Sequence, residues 1–151
     1  MKLAALAALC TAVTSRIILV NLEDKQDEES IKINLDDFGK QLYHNSLFDV
    51  APGNDIDVSV TAWPNTGYRW YFTTNCGTIL DEKSAGFKPI GNPKRGIGTQ
   101  SWNFNLNEKL TKGFLSELGY SITCHVDFFV RKPSDTSEAK QMKTVYLRIA
   151  E

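Results

Sequence analysis

The chain has 151 residues, 42% hydrophobic and 11% aromatic, with a formal net charge of −1. That length suits one domain with its own core, and the composition excludes a disordered or fibrous chain. A charge so near zero speaks against a general nucleic-acid binder. No apolar run beyond the first residues is long enough to cross a bilayer, so no membrane partner is expected.

The N-terminus reads as a signal peptide over residues 1–15. Lys2 supplies a minimal positive start, Leu3 to Val13 is apolar, and Val13-Thr14-Ser15 offers small side chains before a cut. The other reading is a short buried strand or helix. Residues 16–30 form a lead-in whose charged run, 23–29, suits a solvated segment. Cleavage implies secretion or an endolysosomal destination.

From residue 31 to 151 the period is two. Ile31, Ile33 and Leu35 alternate with polar residues, as do Ile56, Val58 and Val60. Tyr68, Trp70 and Phe72 follow, then a weaker candidate strand from Gly86 to Ile90. Trp102, Phe104 and Leu106 continue the pattern, then Ile122 to Val130, then Val145, Leu147 and Ile149. About seven strands of this kind predict an all-β, immunoglobulin-like β-sandwich. One stretch departs from it. Leu110, Phe114, Leu115 and Leu118 fall at helical spacing between Asn107 and Gly119, which predicts a short helix over 108–118. Its apolar stripe is expected to cover one end of the sandwich.

If successive strands alternate direction, beginning with the one at Ile31, three connections emerge at the end opposite the helix. They are residues 62–68, 91–100 and 131–143. The first, Trp63-Pro64-Asn65-Thr66-Gly67-Tyr68, has Pro to fix φ and Gly to permit a positive φ, so it reads as stiff and protruding. The second is rich in Gly and basic residues, including Gly96-Ile97-Gly98-Thr99. The third opens with Arg131-Lys132-Pro133. Trp63 is out of phase with the buried face, which marks it as exposed. Tyr68 and Trp102 carry the phase of core residues.

Chemistry is sparse. Cys124 and His125 are neighbours in a strand and so face opposite ways, which disqualifies them as nucleophile and base. His44 and His125 have no partner at metal-ligand spacing, so neither metal nor cofactor is expected. Cys76 and Cys124 lie at similar depth on adjacent strands, which leaves a disulfide or two buried thiols open.

The three loops resemble those of the chagasin-type inhibitors of papain-like cysteine peptidases. That family presents Asn-Pro-Thr-Thr-Gly-Tyr, Gly-x-Gly-Gly and Arg-Pro-Trp loops on an immunoglobulin-like fold. Here Pro64, Thr66, Gly67 and Tyr68 match the first, Gly96-Ile97-Gly98 part of the second, and Arg131 the start of the third. Thr144-Val145-Tyr146-Leu147 is similar to the family's last strand. Trp63, Asn65, Thr99, Lys132 and Pro133 depart from the motifs. The resemblance implies a non-enzymatic, reversible, competitive inhibitor. It would be a monomer that wedges the three loops into the cleft of a cathepsin-type peptidase, with Thr66 nearest the catalytic cysteine. The alternative is a secreted adhesion or carbohydrate-binding β-sandwich module that uses the same loops on other partners.

Overall fold

The structure is a computed structural model that describes residues 30–39, 43–135 and 139–150. The expected signal peptide and the charged run at 23–29 lie outside the described residues. In chain order the strands are β1 (Ile31–Asn34), β2 (Tyr43–Val50), β3 (Asp55–Ala62), β4 (Arg69–Thr74), β5 (Leu80–Pro89), β6 (Gly98–Leu106), β7 (Ile122–Arg131) and β8 (Gln141–Ile149). The helix α1 (Glu108–Leu118) joins β6 to β7. One sheet has the order β1-β3-β6-β5 and the other β2-β8-β7-β4. This is the immunoglobulin-like sandwich expected, with eight strands among the described residues rather than seven.

The additional strand is β2. It pairs in parallel with β8 at the edge of its sheet. Its inward side includes half-buried Ser46, while Leu47 on the outward side is 54% exposed. An edge strand that turns a polar residue inward and a large apolar one outward hides its period of two. The strand expected from Gly86 to Ile90 is also longer, since it begins at Leu80. Residues 82–90 are exposed, and among the described residues β5 pairs only with β6. Without a buried face, no alternation was required of it.

The core lies between the sheets. Ile33, Ile56, Val58 and Val60 meet Val126, Phe128, Val145 and Leu147 there. Phe128 is fully buried, with Trp102 and Phe104 ring centroids at 4.9 and 6.2 Å. Tilted and edge-on ring pairs of this kind each add about 0.5–1.5 kcal/mol beyond the area buried. Cys76 and Cys124 form a disulfide with Cα atoms 5.1 Å apart, which decides the choice left open by the sequence.

The helix forms where its signals placed it. The Asn107 side chain accepts from the Leu110 N–H at 3.0 Å, and Gly119 ends the helix in the left-handed conformation. Its stripe behaves differently from the expectation. Thr111 and Leu115 are buried, whereas Leu110, Phe114 and Leu118 stay 41–45% exposed. The inward direction lies between Leu115 and Thr111, so only one edge of the stripe reaches the core.

The expected alternation fails at the first pair: β1 runs parallel to β3, because β2 intervenes in the chain and joins the other sheet. Beyond it, β3 runs antiparallel to β6, and β6 to β5; in the other sheet β4 and β8 run antiparallel to β7. Ala62 pairs with Gly98, Gly98 with Pro89, and Arg69 with Arg131. The β3–β4, β5–β6 and β7–β8 connections therefore leave from one end. The helix lies at the other.

Candidate functional site: the loop end of the sandwich

The first loop closes on itself. The N–H groups of Thr66 and Gly67 donate to the carbonyls of Trp63 and Pro64, each at 3.1 Å. The Thr66 hydroxyl donates to the Trp63 carbonyl at 2.6 Å, and Arg69 Nη1 donates to the Pro64 carbonyl at 2.7 Å. Gly67 sits at φ +79°, which a side chain resists. These bonds supply the stiffness that Pro64 and Gly67 implied. Trp63 is 50% exposed, Asn65, Thr66 and Gly67 are exposed, and Pro64 and Tyr68 are half-buried. Tyr68, just before β4, stands outside the core, unlike Trp70 and Phe72 within β4, which pack against it.

The second loop is shorter than expected, because Gly98, Thr99 and Gln100 already belong to β6. The Ile90 N–H donates to the Ile97 carbonyl at 2.9 Å and seals its base. Within it, the Asn92 side chain accepts from the Lys94 N–H at 3.0 Å. Gly96 and Gly98 are buried, while Ile97 and Thr99 are half-buried. The Asn65 side chain lies where a Cβ on Gly96 would stand. Glycine is needed at 96 so that the first loop can close onto the second. The outward surface of the second loop is residues 91–95, including Lys94 and Arg95.

The third loop leaves β7 at Arg131 and re-enters at Gln141, and residues 136–138 lie outside the described set. Arg131 is half-buried, with its guanidinium over the rings of Tyr71 and Phe129 at 5.2 and 5.4 Å. Lys132 and Lys140 are exposed, and their ammonium groups stand 5.2 and 5.9 Å from the Tyr68 ring centre. The first loop thus touches both others, through Asn65 on Gly96 and through Tyr68 beside Lys132 and Lys140.

A fourth connection, β1 to β2, ends here and was not read from the sequence. Its described part begins with a 3-10 turn over Leu35–Phe38. The Asp36 carboxylate accepts from the Thr61 N–H and hydroxyl at 2.9 and 2.7 Å, just before Trp63. Lys143, only 2% exposed, donates to the Gly39 carbonyl at 2.6 Å. Burial pushes the Lys143 pKa down, against the opposing pull of Asp36. The signal for this turn is Asn34, whose side chain accepts from the Asp36 N–H.

Cys124 is committed to the disulfide and offers no thiolate. His125 faces the outer surface, where its Nε2 lies 3.5 Å from Asp127 Oδ2. Among the described residues no three His, Cys, Asp or Glu side chains gather as metal ligands.

These features define an immunoglobulin-like sandwich with a preformed, cation-bearing three-loop end. No family model and no curated protein matches the sequence. Solved structures do match the fold. The crystal structure of the cysteine protease inhibitor EhICP2 from Entamoeba histolytica aligns with a TM-score of 0.57 at 10% identity, over 80% of this chain and 95% of that one. The solution structure of amebosin aligns at 0.54 and 11% identity, over 80% and 98%. PbICP-C in complex with falcipain-2 aligns at 0.48 and 13% identity, over 80% and 99%. At such low identity the first two likenesses establish a shared fold.

Proposed function

We propose that this protein is a reversible, competitive inhibitor of papain-like cysteine peptidases that inserts loops 62–68, 91–100 and 131–143 into the active-site cleft. The observation that carries the reading is the self-bonded first loop, braced by the other two. A loop held this firmly can fill a cleft while keeping every peptide bond away from attack geometry, so it blocks without being cut. It also loses little conformational entropy on binding. The shared fold with a protein described as a cysteine protease inhibitor supports the same reading. The protein acts by occupation, as a monomer, rather than as an enzyme.

The contact surface within the three loops is narrower than the motifs alone suggest. Trp63, Asn65, Thr66 and Gly67 form the exposed tip, with Pro64 and Tyr68 behind it. The second loop offers residues 91–95, and the third offers Lys132. Gly96 and Gly98 serve the packing of the loops on the sandwich. The route is secretory, which the disulfide favours because such bonds persist in oxidising compartments.

Titration of the purified protein against papain and several cathepsins tests the function. Competitive inhibition with a sub-micromolar constant is expected. No inhibition of any of them at millimolar inhibitor overturns the proposal.

A further inference from the structure

We infer that the loop end also receives a side chain from its peptidase: an apolar group beside a carboxylate, seated in the groove between the first and third loops. This rests on the inhibitor reading above. The groove has a volume of about 380 Å³; the cross-strand neighbours Trp70, Val130 and Gln141 share one face of it, and Trp63, Thr66, Tyr68 and Lys140 complete the lining. That volume is at the lower end for pockets that bind small organic groups, and a single large side chain suits it.

Two observations make it a built groove, and a third leaves it surface to offer. Trp70 packs against the core and its Nε1 donates to the Thr61 carbonyl at 3.3 Å, so the inner wall is fixed. Tyr68 is flanked by Lys132 and Lys140 at 5.2 and 5.9 Å, which restrains the middle wall. Trp63, the outer wall, stays 50% exposed, so its ring still has apolar surface to lose to a partner. A preformed apolar pocket with a central aromatic anchor is the arrangement that concentrates binding energy in protein interfaces.

Charge selects what stands beside the apolar group. Lys140 lines the groove, Lys132 stands beside the Tyr68 ring that also lines it, and Lys94 and Arg95 are exposed on the second loop at the same end. A carboxylate next to the incoming side chain is attracted there, and an ammonium group is repelled. The exposed rim charges act mainly on the association rate and weaken as salt rises. The groove accounts for Trp70, Val130, Lys140 and Gln141, none of which belongs to the three loop motifs.

The test compares wild type with Gln141→Trp, which fills the groove from β8, and Lys140→Trp, which fills it from an exposed position. Lys132→Glu combined with Lys140→Glu reverses the charge at the mouth. Association and dissociation rates are measured against papain and a panel of cathepsins at low and high salt, with thermal midpoints confirming the fold. Against the peptidases that wild type inhibits, each filling variant should weaken binding at least tenfold, mainly through faster dissociation. The charge reversal should slow association at least fivefold at low salt, with little effect at high salt. If wild type inhibits while a folded filling variant and the charge reversal both stay within twofold, the groove inference is overturned and the inhibitor reading stands. If wild type inhibits nothing in the panel, the inhibitor reading fails and the groove inference falls with it. Should Gln141→Trp fail to fold, Lys140→Trp decides the question.

Discussion

Gly67→Ala and Gly96→Ala form a matched pair that isolates the contact between the first two loops. Both glycines sit in the left-handed region, at φ +79° and +61°. An L-residue there costs about 1–2 kcal/mol, offset by about 0.4–1 kcal/mol from a stiffer unfolded chain. At Gly67 nothing lies within 4 Å of a new Cβ, so the net cost should be near 1 kcal/mol. At Gly96 the new Cβ would run into the Asn65 side chain, with the Asn65 Cβ itself only 2.8 Å away. Rotating the Asn65 amide cannot clear a clash with its Cβ, so the first loop must move. Overpacking of this kind adds about 1–3 kcal/mol, for a total near 2–4 kcal/mol. Urea unfolding reads the difference directly. A further readout is Asn65→Gly, which removes the obstacle and should recover about 1–3 kcal/mol in a double-mutant cycle. Gly96→Ala should also weaken inhibition, although Gly96 itself is buried. Equal costs for the two single variants, with no coupling to Asn65, would refute the loop-on-loop contact.

Reduction of the Cys76–Cys124 disulfide releases a loop of sequence separation 48, so Cys76→Ser with Cys124→Ser should cost about 4 kcal/mol in denaturant unfolding. Trp102→Ala removes a core ring packed against Phe128 and should cost about 3–5 kcal/mol, whereas Trp63→Ala should change stability by under about 0.5 kcal/mol while weakening inhibition. Unfolding and inhibition measured on both variants separate the two roles. The Asp57 carboxyl is held below its usual range by the Ser30 hydroxyl and then by the Asn103 amide. Its contribution is therefore present above the unfolded carboxyl pKa of about 3.9, and is lost as pH falls from there through the lower folded value. Urea midpoints from neutral pH into that acid range should fall less steeply for Asp57→Asn than for wild type; parallel profiles would contradict the assignment.

Much of the sandwich was legible because buried strands write a period of two into the chain. Ile56-Val58-Val60 and Trp102-Phe104-Leu106 can be placed by alternation alone, since each must bury one face. The helix was legible to its ends because Asn107 and Gly119 satisfy local backbone geometry that needs no distant partner. The stiffness of the first loop was likewise local, set by Pro64, Gly67 and the Thr66 hydroxyl. What local pattern could not reveal depends on contacts between residues far apart in the chain. Edge strands β2 and β5 follow weaker rules, because among the described residues one flank has no partner strand and their faces bury little. The disulfide required two strands to bring Cys76 and Cys124 within bonding distance. The sequence shows Gly96 as a flexible loop residue, and only the fold makes it the seat of Asn65. Tyr68 has the phase of a core strand, yet it stands just before β4, where the sheet ends and the core stops, so its ring meets Lys132 and Lys140 instead. Alternation depends on which face a residue takes, and that is local. Which loops touch depends on how two sheets stack, and that exists only once the chain has closed on itself.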